Sequence, residues 1–390
     1  MRLTVLYTPN LAQFVLSVLF ITMLFIRQHL KSVSINQSIP SRICSVTYQS
    51  DHSKLTKDLS DLSLKAAPSE SDCLARDDFL SQISSIVQRV VDGGRLAPFG
   101  SAVNGFWTPV SDIDISIIAP GVKSRAGQLT VLKLVGGELL KYGSHWKEEV
   151  FGAKVPILKW RPLRSVKNST LIAPGFSADL SVNNSLAVVN SHLIGEYSKI
   201  DDRYRQLGLA VKLWAKSRGI NDRSRGSLSS FALLMMLTHF LQKKFILPDL
   251  QELAIGLNLR SVKVEGKDVR FLQDKEEALR ELAEIRNIAV KRGKADPAYF
   301  TASAGVLLSE FFRFYGFEYK SQLIRITDVH DPAGTCLIEE RPFQIENPFE
   351  PGIDIANVHQ IEKILQEFRR AAALTAQGKS LEEVCGATKH

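Results

Sequence analysis

The sequence predicts an α+β protein of two domains, a mixed-sheet domain followed by a mostly helical one, with a cleft between them. Three observations carry this expectation. Between Leu96 and Val182, short apolar runs of strand length alternate with segments of helical spacing. After Val182 the strand-length runs give way to a succession of longer segments with helical periodicity. The chain has 390 residues, 45% of them hydrophobic, which is enough for two separate cores.

Residues 1–50 contain no Asp or Glu, and Leu11 to Ile26 is an uncharged, largely apolar stretch. That run is short for a spanning helix but suits a signal-peptide core or a membrane anchor. The Ser-rich, weakly basic remainder has the composition of a transit peptide. Residues 1–50 are therefore expected to be a targeting leader into an organelle, mitochondrion or plastid. A membrane anchor making contact through residues 11–26 is the second reading, and a mis-chosen start codon on a cytoplasmic protein the third. Residues 51–72, rich in Ser, Asp and Lys with Pro68, read as a linker.

Residues 73–188 are expected to form the sheet domain. Leu74, Phe79, Leu80, Ile83, Ile86, Val87, Val90 and Val91 have helical spacing, stopped by Asp92-Gly93-Gly94. Leu96 to Phe99 is a short apolar run that ends at Gly100-Ser101. Asp112-Ile113-Asp114-Ile115 opens the next strand. A helix over 129–142, strands over 147–150 and 154–160, and a strand over 176–182 follow. Residues 189–356 are expected to be a helical domain, with helices over 191–197, 203–218, 229–243, 276–292 and 302–315. A C-terminal helix within 357–378 would pack back on the core, leaving a frayed tail at 379–390.

Side chains at i and i+2 of a strand share a face, so Asp112 and Asp114 project to one side and Ile113 and Ile115 to the other. Two carboxylates that close repel unless a cation neutralises them, and a hard oxygen-seeking ion such as Mg²⁺ or Mn²⁺ is suited to the task. Gly100 lets the backbone approach a ligand, and Ser101 offers a hydroxyl and an N–H to phosphate.

Gly100-Ser101 with Asp112-x-Asp114 resembles the nucleotidyltransferase superfamily that includes DNA polymerase β. The resemblance implies that the Gly-Ser element holds a triphosphate and that three carboxylates hold two metal ions. Asp179, in Ala-Asp-Leu-Ser-Val, stands where the third is expected. Over residues 75–370 the chain resembles, more narrowly, the noncanonical poly(A) polymerases and terminal uridylyltransferases, which extend RNA 3′ ends without a template. On that resemblance Asn190-Ser191 contacts base and ribose, although either residue would also suit a helix cap. Lys212 and Lys216, one helical turn apart, would grip the β and γ phosphates. Ser230 would touch phosphate and Phe231 would stack on the base. Asn347-Pro348-Phe349-Glu350 resembles the family's Asp-Pro-Phe-Glu base-reading segment, with Asn347 in place of Asp. Ile353 stands where some members carry a His that disfavours ATP. The nucleotide is therefore UTP, by a narrow lean, or ATP.

The net charge of +8 suits an anionic partner, here an RNA 3′ end. No RNP motif, KH loop or zinc finger accompanies the core, so a protein adaptor supplying RNA specificity is a further expected partner. Arg203, Arg205, Arg218, Arg223 and Arg225 are candidates for phosphate contact. The four cysteines are far apart and lack metal-binding spacing, which points to free thiols. Two other classes remain open: transfer of a nucleotide to a small-molecule acceptor, and an RNA-binding module without catalysis.

Overall fold

Strands β1 (Arg95–Phe99), β2 (Ile113–Ile118), β3 (His145–Val150), β4 (Ile157–Pro162) and β5 (Ala178–Val182) form one mixed sheet. Their order is β1-β2-β5-β4-β3. The computed structural model describes residues 51–142, 145–162, 176–320, 323–330 and 341–386. Only the β2–β5 pair is parallel; β1–β2, β5–β4 and β4–β3 are antiparallel. A parallel pair needs a crossover, and the long connection from β2 to β5 provides it.

The β2 sequence Ile-Asp-Ile-Ser-Ile-Ile alternates as its strand requires. Ile113, Ile115 and Ile117 are fully buried. Helices α2 (Glu70–Val90) and α3 (Arg125–Leu139) supply Phe79, Ile83, Leu132 and Val135 to the same core. Leu158, Trp160 and Leu180 complete it from β4 and β5. One face of the sheet is thus occupied by its own helices, which leaves the opposite face, with Asp114 and Asp179, for the site.

A second core belongs to the helices α4 (Ser185–Ile200), α5 (Asp202–Ser217), α6 (Ser230–Lys243), α7 (Leu250–Gly256), α8 (Lys275–Lys291), α9 (Ala304–Arg313) and α10 (Ile361–Ala376). Helix α6 is buried on every side from Ala232 to Gln242, as expected of a helix apolar all round. Two short hairpins flank this core: β6 (Lys263–Val264) with β7 (Lys267–Asp268), and β8 (Glu346–Asn347) with β9 (Glu350–Asp354).

The structure corrects several expectations. Residues 51–72 are not a linker. Helix α1 (Ser53–Lys65) occupies most of them, and its Leu55 and Leu59 are buried in the helical core. Leu55, Leu59 and Leu62 recur at helical spacing, but the Ser, Asp and Lys of the outward face mask it. The tail contains helix α11 (Leu381–Cys385), closed by a Ser380–Glu383 capping box. The Leu381 N–H donates to Asp58 Oδ2 at 2.9 Å, which ties this end of the chain to α1. Helix α4 starts at Ser185, so it runs through the expected domain boundary at 188/189. Asn190 and Ser191 lie in its second turn and cannot cap it.

The expected membrane contact is also corrected: among the described residues, no helix is long and apolar enough to cross a membrane. The leader itself, residues 1–50 with the 11–26 run, lies outside the described residues. Cys73 and Cys385 are free thiols; Cys44 and Cys336 lie outside the described residues.

Helix α6 buries a histidine, His239, whose Nδ1–H donates to the Arg325 carbonyl at 2.7 Å. Burial pushes its pKa down to about 4, and the neighbouring Lys243, His330 and Arg325 charges add to this. An unfolded histidine takes up its proton near pH 6.5, so between that pH and about 4 the unfolded state binds more protons. This residue therefore makes the protein lose stability as pH falls through that window, by about 3 kcal/mol at most. His239→Gln is expected to flatten the acid limb of a urea-denaturation pH series. An acid limb of unchanged slope in the variant would refute the assignment.

Candidate active site

The two strands that carry the carboxylates run parallel in register, with Asp114 opposite Asp179. Both side chains point away from the sheet core, because Ile113, Ile115 and Leu180 point into it. Asp112, immediately before β2, is exposed. On the other side of β2, Phe99 pairs with Asp114, which brings Gly100 against the same carboxylate. Gly100 has φ +61°, and a Cβ there would fall inside the van der Waals envelope of Asp114 Oδ2. This position requires glycine on both counts.

The carboxylates crowd one another. Burial pushes Asp114 up to about 7, and the nearby Asp179 and Asp112 charges add to the rise. Lys212 and Arg161 oppose it. Lys212, on α5, is itself pushed down by burial and held up in part by Asp114. Arg161, on β4, was not anticipated from sequence. Its Nη2 lies 2.6 Å from Asp179 Oδ1 and 3.4 Å from Asp112 Oδ2. Its Nη1 donates to the Ala178 carbonyl at 3.0 Å and the Trp160 carbonyl at 3.1 Å.

A cavity of about 950 Å³ opens over this face. Every expected site residue lines it except Asn347 and Glu350. Asp112, Asp114 and Asp179 with Gly100-Ser101 form the sheet side, and Lys212, Lys216, Ser230 and Phe231 come from α5 and α6. Lys212 is half-buried and Lys216 exposed, one turn apart on the same helix. Ser229 caps α6 by accepting from the Ala232 N–H at 3.0 Å, which places Ser230 and Phe231 in the first turn facing the cavity. Asn221 Nδ2 donates to Ser230 Oγ at 3.1 Å.

Asn190 and Ser191 have different situations. Ser191 Oγ accepts from the Gly100 N–H and donates to the Ala187 carbonyl, both at 2.8 Å. Its hydroxyl therefore anchors the Gly100 turn to α4. Asn190 Oδ1 is buried at the cavity wall with no hydrogen-bond partner, and an orphaned acceptor at that place is suited to a ligand donor.

Asn347 and Glu350 face each other instead of the cavity. Asn347 Nδ2 donates to Glu350 Oε2 at 2.9 Å, and its Oδ1 accepts from the Phe349 N–H at 3.1 Å. Three of the candidate arginines are engaged in holding the fold. Arg203 binds Asp201 and the Ala302 carbonyl, Arg205 binds Ser63 and the Gly105 carbonyl, and Arg218 binds Glu367. Arg223 and Arg225 are exposed. Besides Arg161, sequence reasoning missed Lys65, Leu62 and Asn221, which also line the cavity. Lys65 and Leu62 belong to α1, and their helical spacing with Leu55 and Leu59 was the available signal.

The donor chemistry fits a hard divalent cation. Three carboxylates converge on one face, and one of them is destabilised as an anion by burial and by the other two. Among the described residues, however, no three acidic, His or Cys side chains are already gathered as a metal cage. Arg161 provides the positive charge between Asp112 and Asp179.

Comparison with known proteins gives a consistent result. Residues 55–199 match the family model described as the central palm domain of mitochondrial-like poly(A) RNA polymerase. Human terminal uridylyltransferase 7 is 28% identical over 318 residues, covering 78% of this chain and 20% of that protein. Mouse terminal uridylyltransferase 4 is 30% identical over 294 residues, covering 71% of this chain and 16% of that one. The chain thus spans a fifth or less of the length of these uridylyltransferases. Poly(A) RNA polymerase cid11 of Schizosaccharomyces pombe is 26% identical over 350 residues, covering 85% of this chain and 65% of the relative. Among solved structures, Cid1 in complex with the UTP analogue UMPNPP superposes with a TM-score of 0.64 at 25% identity, covering 83% of this chain and 94% of that one. Sequence and fold together match the poly(A) polymerase and terminal uridylyltransferase branch of the DNA-polymerase-β-like nucleotidyltransferase superfamily.

Proposed function

We propose that this chain is a template-independent RNA nucleotidyltransferase, adding UMP or AMP from the triphosphate to an RNA 3′ end. The observation that carries the reading is the parallel register of Asp114 with Asp179, with the Gly100 turn packed on Asp114 in a cavity that also holds Lys212 and Lys216. Asp112, Asp114 and Asp179 would hold two Mg²⁺ or Mn²⁺ ions. Such ions lower the pKa of an attacking hydroxyl and stabilise a pyrophosphate leaving group. Ser101, Ser230 and the two lysines bind the triphosphate, and Lys212 opposes charge on it from a half-buried position. Phe231 gives the base a stacking face that tolerates any base and contributes ~1–3 kcal/mol. Asn190 Oδ1 accepts from a ribose hydroxyl or a base N–H, which removes its orphan state.

Incorporation from each of four labelled NTPs onto one oligoribonucleotide tests this directly, beside the same assay with small hydroxyl acceptors. Metal-dependent extension of RNA by UTP or ATP is the expected result. Transfer confined to the small acceptor would refute the RNA reading, and no transfer at all would favour a binding module.

The lean towards UTP rests on the Ser-Ser-Phe and Pro-Phe-Glu segments and on the relatives named for uridylyl transfer. If Asn347 and Glu350 read the base, Asn347→Asp replaces a donor engaged by Glu350 with an acceptor suited to uracil N3–H. A charged hydrogen bond exceeds a neutral one by about 1 kcal/mol, so UTP preference over ATP should rise roughly fivefold in competition. An unchanged UTP/ATP ratio would assign the pair to the β8–β9 hairpin alone.

An organellar location is supported by the acid-free first fifty residues and by the mitochondrial-like description of the matching family. A fusion of residues 1–60 to a fluorescent reporter should reach an organelle; diffuse cytosolic fluorescence would refute this.

A further inference from the structure

We propose that Arg161 is the resident cation of the carboxylate site in the metal-free protein, and that divalent metal and Arg161 compete for Asp179 and Asp112. The inference rests on the metal-dependent reading given above and goes beyond it by assigning a residue that controls metal entry.

The geometry of β4 explains why the arginine is there. Lys159 pairs with Asp179, and Trp160 is fully buried in the sheet core. Strand alternation therefore puts Lys159 and Arg161 on the carboxylate face. Two backbone carbonyls, of Ala178 and Trp160, hold the Nη1 end of the guanidinium. The Nη2 end is thereby directed between Asp179 Oδ1 and Asp112 Oδ2. A planar fork anchored at one end is a pre-organised partner for carboxylates. From the helical side the facing charge is Lys212 on α5, with Lys216 one turn further out. Lys159 on the same strand is directed to Glu148, at 3.9 Å. Arg161 is therefore the cation that links Asp112 to Asp179.

A Mg²⁺ ion binds oxygen at roughly 2.0–2.1 Å and demands near-octahedral geometry. It cannot share the space between Asp112 and Asp179 with a guanidinium nitrogen already 2.6 Å from Asp179 Oδ1. The head must withdraw from at least Asp112 when metal enters, and its Nη1 anchors let it pivot on the strand instead of leaving the face. In the absence of metal the same contact screens carboxylates that would otherwise repel. The consequence is reciprocal coupling: Arg161 weakens metal binding, and metal loosens Arg161.

The test uses the full chain and no turnover. Mn²⁺ is titrated into wild type and Arg161→Gln and followed by electron paramagnetic resonance, with thermal melts run in EDTA and in saturating Mn²⁺. The Gln variant is expected to bind Mn²⁺ roughly tenfold more tightly or better, because a nearby positive charge is removed. It is expected to melt below wild type in EDTA, with the gap narrowing in Mn²⁺, since a ligand of the native state stabilises in proportion to its affinity. Arg161→Lys keeps the charge without the fork and should bind with intermediate affinity; it carries the test if the Gln variant does not fold. Equal or weaker Mn²⁺ affinity in the folded variants would overturn the inference and leave the metal site standing. Lack of any Mn²⁺ signal that Asp112→Asn with Asp114→Asn removes would overturn the metal site itself, and the inference with it.

Discussion

Asp114→Asn is expected to reduce metal-dependent RNA extension by roughly a thousandfold or more while leaving the metal-free protein as stable as wild type, or more stable. The two halves of this expectation have one cause. Asp114 is a carboxylate pushed up to about 7 by burial and by Asp179 and Asp112. An amide of the same shape removes that unfavourable charge, so melting in EDTA should not fall. The same amide is a poor ligand for a hard cation, and a metal clamp supplies several kcal/mol of transition-state stabilisation. At ~1.4 kcal/mol per factor of ten, loss of about 4 kcal/mol gives the thousandfold figure. Single-turnover extension beside a thermal melt checks both parts. Turnover within tenfold of wild type would show that Asp114 holds no catalytic metal.

The parts of the site that were legible in the sequence are those carried by strict local spacing. Asp112 and Asp114 sit two apart at the start of an Ile-rich strand, Asp112 just before it and Asp114 within it, Lys212 and Lys216 four apart on a helix, and Ser230-Phe231 directly after a serine cap. What spacing does not contain is sheet order. The pairing of Asp114 with Asp179 links strands about sixty residues apart in sequence, and Arg161 reaches the carboxylates only because β4 lies next to β5. A basic residue at the end of a strand with a Pro beside it reads as a solvated edge until its neighbour is known. Helix α1 was hidden for a different reason. Its apolar stripe is only one residue per turn wide, so composition outweighed periodicity, although Leu55 and Leu59 are almost wholly inaccessible. Asn347 and Glu350 show the limit of motif reading. The segment folds into a hairpin as its turn residues allow, but their side chains bond to each other, and spacing gives no information about which groups they face.

Gly100→Ala should be nearly as damaging to extension as loss of the carboxylate, with a moderate cost in stability. Gly100 has φ +61°, where an alanine costs roughly 1–2 kcal/mol of backbone strain. Its N–H is held by Ser191 Oγ at 2.8 Å, so the turn cannot swing away without also releasing α4. An added methyl would meet Asp114 Oδ2 and Cγ, and the fixed turn leaves Asp114 as the group that must move. Displacing a reacting-site ligand by about 1 Å costs on the order of a hundredfold in rate. The expected result is a loss of a hundredfold or more in extension, with a melting temperature lowered by only a few degrees. Ser191→Ala is the companion experiment. It removes the anchor but not the space, so the turn is freed to relax and the loss should be smaller, on the order of tenfold, in keeping with one hydrogen bond of about 1 kcal/mol. In the double variant the freed turn accommodates part of the methyl, so the combined loss should fall short of the product of the two single losses. Strictly multiplicative losses would show that Ser191 does not hold the Gly100 turn against Asp114.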